Sequence, residues 1–387
     1  MLVTHVELKD FRNYETLGLE LSSGPTLIVG SNGQGKTNLV EALGFLSTLG
    51  SHRVSTDHAM VRQNMDAAII RVRLEHNERK FLAEVQINRT GANRAQINRS
   101  AIRTRELPRY FSSVLFAPVD LALVRGEPSG RRRFIDELLV LRSPRFSGVM
   151  SDYERVVKQR NMLLKSARAS GVRDAQLSTL DVWDERLIEF GAEIISARSA
   201  LVAELSPEVS QSYERIVGAD HGASLANSLS IISRQDDADS AVATNEVGEV
   251  ISIADATSAF TTVLESVRKT ERDRAITLVG PHRDDLIFGL NGLPARGYAS
   301  HGESWSFALA LKLASAELLR RESSAGDPVL ILDDVFAELD QSRRERLAAS
   351  ISDFEQVLIT AAVFGDVPES LAANVIQIRA GEVVTDE

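Results

Sequence analysis

The stretch that decides the fold is Gly30-Ser31-Asn32-Gly33-Gln34-Gly35-Lys36-Thr37, which matches G-x-x-x-x-G-K-[ST] in full. It follows the apolar run 25–29 and precedes a segment, 38–43, with the composition of a helix. Glycines in such a loop let backbone N–H groups converge on phosphates, and the N-terminus of the next helix adds positive potential. Lys36 would supply a cation for the outer phosphates and Thr37 a hydroxyl for Mg²⁺. The pattern therefore predicts a nucleotide-binding phosphate loop.

A second motif lies roughly 300 residues further on, so a large insertion must separate the two. Val329-Leu330-Ile331-Leu332-Asp333-Asp334 is an apolar strand that ends in paired carboxylates, the pattern of a Walker B element. At the carboxyl edge of a sheet, Asp333 can hold Mg²⁺ and Asp334 can reach the water that attacks the terminal phosphate. Beside the phosphate loop, this motif predicts a catalytic set of Lys36, Asp333 and Asp334.

Composition bounds the class of protein. The chain has 387 residues with 43% hydrophobic content, which allows a large core and, by length, two or three domains. No apolar run approaches the ~20 residues that cross a bilayer, and the N-terminus lacks a signal-peptide pattern, so we expect a soluble, cytoplasmic protein. The chain has no cysteine, which excludes disulfides, thiolate metal sites and a cysteine nucleophile.

Hydrophobic periodicity divides the chain into parts. Strand patterns at 2–8 and 17–29 precede the phosphate loop, and alternating segments from 67 to about 97 predict an antiparallel β subdomain, about 67–115. Helical patterns occupy 134–169, 177–205, 208–217 and 257–273, with a polar, acidic segment at about 233–252. Strand patterns return at 276–280, 285–290 and 328–332, with a helix at 303–321. We therefore predict an α/β core formed by 1–135 and 274–387, and an inserted helical lobe formed by 136–273.

The net charge of −10 argues against a protein that coats nucleic acid through its overall field. Between residues 53 and 133, however, basic side chains outnumber acidic ones roughly two to one, a pattern suited to phosphates. A solvated charged face is the alternative interpretation for any one of these arginines. The candidates for contacts with DNA phosphates are Arg94, Arg99, Arg103, Arg105, Arg131, Arg132 and Arg133.

The order of these motifs resembles the ABC-type P-loop ATPase heads of the SMC family and, more closely, the RecF family of bacterial DNA-repair proteins. Four segments carry the resemblance, which covers nearly the whole chain: Leu8 to Tyr14 with the phosphate loop, Gly126-Glu127-Pro128-Ser129-Gly130-Arg131-Arg132-Arg133-Phe134-Ile135-Asp136, Gly280-Pro281-His282-Arg283-Asp284-Asp285, and Leu332 to Asp340. The resemblance implies an ABC-type head in which each subunit's signature segment closes the nucleotide site of a second copy.

The resemblance also implies further site residues. The segment that matches the signature is Ser300-His301-Gly302-Glu303, in which Glu303 stands where the family more often has Gln. Two departures from other ABC heads are the absence of a glutamine in 114–120, where Asp120 is the substitute candidate, and Thr360 at the place of the switch histidine. The implied nucleotide-binding residues are Arg12, Gly30, Ser31, Asn32, Gly33, Gln34, Gly35, Lys36, Thr37, Asn38, Ser300, Gly302, Glu303 and Asp340, and the Mg²⁺ ligands are Thr37 and Asp333.

The function implied by the resemblance is a weak, DNA-stimulated ATPase that acts as a switch. ATP would join two copies into a homodimer that clamps single-stranded, gapped or junction DNA, and slow hydrolysis would release it. Such a protein would act with RecO and RecR in loading RecA, in replication restart and in the SOS response. The alternatives are the ATPase subunit of an ABC transporter, which would need a membrane partner, and an SMC-like tether, which would need long heptad repeats that this chain lacks.

Overall fold

A computed structural model describes residues 1–76, 79–170, 178–232, 249–323 and 326–384. The chain folds into two compact units. The first comprises Met1–Leu121, Gln211–Asp220 and His301–Glu387, and the second comprises Ala122–Ser210 and His221–Ser300. The second unit thus begins earlier and ends later than the predicted lobe, 136–273, and 211–220 belongs to the first unit. Most of the acidic segment predicted at 233–252 lies outside the described residues.

The first unit contains an antiparallel sheet with the strand order β2-β1-β4-β5-β6-β7. Its strands are β1 (Leu2–Phe11), β2 (Tyr14–Glu20), β4 (Ala67–His76), β5 (Arg79–Asn88), β6 (Arg94–Ile97) and β7 (Ser100–Ile102). Buried and more exposed residues alternate along β4 and β5 because only one face of this sheet packs on the core. The antiparallel strands predicted from residue 67 onward are confirmed, and β1 and β2 extend the same sheet.

The second sheet of this unit is mostly parallel and has the order β15-β14-β3-β13-β12-β8. Its strands are β3 (Gly24–Val29), β8 (Ser113–Phe116), β12 (Val329–Asp333), β13 (Gln356–Ala361), β14 (Asn374–Arg379) and β15 (Glu382–Val384). Every residue of β12 and β13 is buried, which explains their continuous apolar runs. The helices α1 (Lys36–Thr48), α8 (His301–Glu322) and α9 (Gln341–Ile351) belong to the same unit.

The second unit combines helices with a small antiparallel sheet of order β11-β10-β9. Its helices are α3 (Pro128–Arg142), α4 (Phe146–Ser170), α5 (Ser178–Val217, whose last turns belong to the first unit), α6 (Ile253–Arg274) and the short α7 (Ala295–Tyr298); the short α2 (Leu121–Arg125) leads into it. Its strands are β9 (Ser224–Ser228), β10 (Asp285–Leu290) and β11 (Leu293–Pro294). No helix within the described ranges is long and apolar enough to span a membrane.

Three sequence predictions for this region are wrong. The single helix expected at 134–169 is two helices, because 143–145, which includes a proline, interrupts it. The separate helical patterns predicted to end at 205 and to begin at 208 belong to one helix, α5, with Pro207 inside it. Residues 276–280 form an irregular segment and not a strand, since backbone N–H groups of Thr277 and Leu278 donate to the side chains of Asn161 and Glu271, both at 2.7 Å.

Candidate functional site

The phosphate loop connects β3 to the first turn of α1. Gly33 and Gly35 have φ angles of 82° and 118°, a region that favours glycine, and Gly35 is the N-cap residue of the helix. A Cβ atom on Gly35 would lie 2.6 Å from Oη of Tyr14. The first N–H groups of α1 have no acceptor within the helix. The loop therefore has the tight geometry and the free donors that an anion site requires.

The ammonium group of Lys36 lies inside this loop. The residue is only 3% exposed, and Nζ donates to the carbonyl oxygens of Gly30 at 2.7 Å and Ser31 at 3.3 Å. Carbonyl groups thus hold a cation within reach of the loop's backbone donors. This is the arrangement in which a lysine meets the outer phosphates of a nucleotide.

The other polar residues of the loop are held by neighbours in the first unit. Gln34 Oε1 accepts a hydrogen bond from a backbone N–H of the turn between β14 and β15. Asn38 Nδ2 donates to Asn13 Oδ1 at 2.6 Å. Asn32 and Ser31 lie at the tip of the loop and are exposed. The loop is therefore fixed at its base and open at its tip.

Two hydroxyl groups meet the first Walker B carboxylate. Asp333 Oδ1 accepts from Thr37 Oγ1 at 3.2 Å and from Thr360 Oγ1 at 2.6 Å. The structure thus brings together Thr37 and Asp333, the two predicted metal ligands. A hydroxyl and a carboxylate supply the hard oxygen ligands that Mg²⁺ prefers, so these residues fit that ion.

The same carboxylate has a perturbed pKa. Burial is the main cause of the raised pKa of Asp333, which is 2% exposed, and the charge of Asp334 raises it further. Hydrogen bonds from Thr360 and Thr37 and the charge of Lys36 oppose this rise. A divalent cation would favour the charged form and remove much of the cost of burying it.

Sequence reasoning placed Thr360 at the position of a switch histidine and missed its role in the Walker B region. Its Oγ1 also accepts from the backbone N–H of Asp334 at 2.9 Å, so it contacts both acidic residues. Asp334 has a φ of 51°, which is uncommon for a residue with a side chain and recurs at functional sites. The contact between Thr360 and Asp333 follows from their pairing in the β12–β13 ladder. That pairing depends on the strand register, which the spacing of residues in the sequence does not give.

Arg12, predicted to contact nucleotide, is held by a buried carboxylate. Its guanidinium donates to both oxygens of Glu41, at 2.9 and 2.5 Å, and to the carbonyl oxygen of Ala59 at 2.9 Å. Burial alone would raise the pKa of Glu41, but hydrogen bonds from Arg12 and Ser51 and the charges of Arg12 and Arg53 outweigh burial and lower it. Glu41 was not predicted from the sequence; a charged residue within the apolar segment after the phosphate loop was the available signal.

The signature segment lies at the start of α8. Ser300 directly precedes the helix, and Gly302 and Glu303 lie in its first turn. A Cβ atom on Gly302 would be 3.4 Å from a terminal nitrogen of Arg343. Arg343 lies three residues after Asp340, one of the implied nucleotide-binding residues, and Asp340 caps α9 by accepting from the Arg343 backbone N–H at 3.0 Å. Sequence reasoning missed this arginine, which places a positive charge beside the signature glycine.

The four predicted DNA contacts in the antiparallel sheet and the segment after it are exposed. Within the described ranges, none of them forms an ion pair. They are Arg94, Arg99, Arg103 and Arg105. Their charges are therefore available to a phosphate backbone.

Arg131 to Arg133 differ from these four. Arg131 is 3% exposed, and its guanidinium donates to both oxygens of Asp285 at 2.7 and 2.8 Å. Arg132 donates to the backbone carbonyl of Asp284 at 2.8 Å, and Arg133 donates to Glu137 at 2.7 Å. We therefore correct the prediction for Arg131, because a buried guanidinium paired on two nitrogens is not accessible to DNA.

Fold and site together define an ABC-type P-loop ATPase head. The family model described as "RecF/RecN/SMC N terminal domain" matches residues 2–379. The chain is 63% identical to "DNA replication and repair protein RecF" of Clavibacter sepedonicus, over 99% of this chain and 95% of the relative, and 50% identical to the protein of the same description in Streptomyces avermitilis, over 99% of both. The chain belongs to the RecF family.

Solved structures agree with this assignment. A structure described as the recombination mediator protein RecF with ATP in the RecFOR pathway has a TM-score of 0.86 at 27% identity, covering 100% of this chain and 97% of that one. An Smc head domain from Pyrococcus furiosus, at 17% identity, has a TM-score of 0.53 and covers 99% of this chain and 95% of that one. The second likeness supports the ABC-type fold alone.

Proposed function

We propose that the chain binds ATP at its phosphate loop and works in DNA repair as a nucleotide-dependent switch. The observation that carries the proposal is the meeting of Thr37, Asp333 and Thr360 beside the loop that holds Lys36. The RecF structure described with ATP supports the choice of nucleotide. Thr37 and Asp333 would hold Mg²⁺, which neutralises phosphate charge when it is bound.

Hydrolysis in this proposal is slow. Asp334 is the group that would orient or deprotonate the attacking water, and Lys36 would stabilise charge on the outer phosphates. Thr360 stands where a histidine would contact the terminal phosphate, and its hydroxyl is already used by Asp333 and Asp334. A site with this composition favours a long-lived ATP-bound state.

ATP-dependent dimerisation follows from the signature segment. In the proposed homodimer, Ser300, Gly302 and the N-terminus of α8 of one copy close on the terminal phosphate held by Lys36 of the other. The carboxylate of Glu303 would weaken this contact by repulsion. Arg343, which lies beside Gly302 and pairs with Asp340 at 3.5 Å, would oppose that effect in part. Asp340 would lie at the same interface.

The closed dimer is proposed to hold single-stranded, gapped or junction DNA. The exposed Arg94, Arg99, Arg103 and Arg105 would contact phosphates, with Arg132 and Arg133 as secondary candidates, and binding would depend on salt more than on base sequence. DNA would in turn stimulate the weak ATPase. With RecO and RecR as partners, the dimer would help to load RecA and so support replication restart and the SOS response in the cytoplasm.

The test is Lys36→Met, with nucleotide binding, molar mass and DNA retention measured on one sample. We expect the variant to lose binding of a fluorescent ATP analogue, to remain a monomer in light scattering, and to lose ATP-dependent retention of gapped DNA. Lys80→Met is the matched control, because that lysine is 79% exposed on β5. A wild-type monomer at saturating ATP, or unchanged DNA retention by Lys36→Met, would contradict the switch.

A further inference from the structure

The second unit contains a groove that the proposed ATPase function does not use, although Arg132 and Arg133, the secondary candidates for DNA contacts, lie in its wall. Its volume is about 830 Å³, and its walls come from α3, α4 and α5 and from the turn that contains His282. We call it the α3–α4 groove. This volume lies within the range of pockets that bind small ligands or the side chains of a peptide.

One face of α4 forms the longest wall of the groove. The lining residues of this helix recur at intervals of three or four from Met150 to Lys165, so they form a single stripe along the helix. The stripe includes apolar side chains that remain accessible: Met162 is 54% exposed, and Met150 and Val157 are partly buried. Exposed methionine is adaptable and suits contact with varied apolar groups.

Charge distinguishes this groove from the protein as a whole, which carries a net charge of −10. Five lining residues are basic and three are acidic. Two of the three acids are neutralised locally, since Arg198 pairs with Asp136 and Arg133 pairs with Glu137. Lys158 and Lys165 are exposed, and among the described residues neither forms an ion pair.

The two lysines lie seven residues apart, hence on the same side of α4 and about 10 Å apart along its axis. Met162 lies between them on the same stripe. An occupant complementary to this pattern presents two carboxylates on either side of an apolar group. Single-stranded nucleic acid fits less well, because proteins bind it by stacking its bases on aromatic rings. Tyr153 in the groove wall is only 4% exposed, and its hydroxyl is hydrogen-bonded to His282.

We propose that the α3–α4 groove binds an extended acidic peptide segment of a partner protein. An apolar side chain of the segment packs against Met162 and Val157, and flanking carboxylates lie near Lys158 and Lys165. The two lysines attract carboxylates and so select an acidic segment. Because both side chains are exposed, their substitution should leave the fold of the second unit unaffected.

The experiment measures fluorescence anisotropy of a labelled pool of nine-residue peptides on the full chain. The pool has Asp or Glu at four fixed positions and Leu, Met or Phe at the central positions, and a matched pool has Lys at the four fixed positions. We expect the acidic pool alone to bind, and to bind about tenfold more weakly to the double variant Lys158→Glu/Lys165→Glu, since two attractions become repulsions. Lys269→Glu, a charge reversal at an exposed position on α6, should change nothing.

Three results would overturn the proposal. The first is no binding of the acidic pool, and the second is equal binding of the pool by the wild type and the double variant. The third is that oligo-dT displaces the pool from the wild type and also binds the double variant more weakly than the wild type. The last result would identify nucleic acid as the occupant. Lys36→Met should bind the acidic pool as tightly as the wild type does, so failure of the nucleotide switch and failure of this groove are separable.

Discussion

Replacing Thr360 by valine tests the hydrogen bonds that organise the Walker B residues. The substitution keeps the shape of the side chain but removes a donor to Asp333 Oδ1 and an acceptor for the Asp334 backbone N–H. Leaving buried polar groups with fewer partners costs about 1–3 kcal/mol, so we expect the free energy of unfolding to fall by about 2 kcal/mol at pH 7.5.

The loss should depend on pH with a definite sign. The pKa of Asp333 is raised above the ordinary value of 3.8, mainly by burial, and Thr360 is among the groups that lower it. Without the hydroxyl, the pKa rises further. A carboxyl group with a raised pKa in the folded state contributes stability below 3.8 and loses that contribution as pH rises through the folded-state value. The destabilisation by Thr360→Val should therefore be largest at neutral pH and shrink towards pH 4.

The assay is urea denaturation followed by circular dichroism at pH 7.5 and pH 4. Midpoints of the transitions are compared, because the two units can unfold in separate transitions. Thr26→Val is a matched control: Thr26 is 1% exposed on β3 of the same sheet, and its hydroxyl has no partner among the described residues. That change should be neutral or stabilising. If Thr360→Val costs no more than Thr26→Val at pH 7.5, or costs more at pH 4, the reasoning about Asp333 is refuted.

Three further predictions concern other residues. Glu41→Gln should cost about 3 kcal/mol at neutral pH, because the partly buried guanidinium of Arg12 would lose the charge of its buried partner. Because the pKa of Glu41 is lowered, the difference should vanish as pH falls through the folded-state value, and a constant difference in urea midpoints would contradict this. Gly35→Ala should weaken binding of a fluorescent ATP analogue about tenfold, since alanine is strained at this φ and would meet Tyr14; equal affinity would refute it. Arg131→Ala should lower the free energy of unfolding by about 3–5 kcal/mol. Arg105→Ala should leave stability nearly unchanged and reduce the slope of the logarithm of DNA affinity against the logarithm of salt concentration by about one. If denaturation and gel-shift titrations instead show a stable Arg131→Ala variant with the reduced slope, Arg131 is a DNA contact.

The sequence was most informative where a function is carried by contiguous residues. The phosphate loop and β12 are local patterns, so their residues could be assigned without knowing the fold. The ladders that join β12 to β13 and β13 to β3 then place Asp333 beside the loop. The alternating apolar residues of β4 and β5 predicted the antiparallel sheet for the same reason.

Predictions failed where a residue's partner lies far away in the chain. Arg131 has the sequence context of a surface cation, but its pairing with Asp285, 154 residues later, buries it. Residues 276–280 have the composition of a strand, but the side chain of Asn161, 116 residues earlier than Thr277, takes a backbone donor that a sheet would need. Composition and spacing carry no information about such distant partners.

The central claim is that each ATP lies between Lys36 of one copy and Ser300 of the other, and mixing two inactive variants tests it most directly. Lys36→Met alone and Ser300→Arg alone leave no complete site in a homodimer. A mixed dimer of the two has one complete site, formed by Lys36 of the Ser300→Arg copy and Ser300 of the Lys36→Met copy. Sedimentation velocity with ATP should show monomers for each variant alone and dimers for the mixture. A mixture that stays monomeric, or a single variant that dimerises as well as the wild type, would contradict the account.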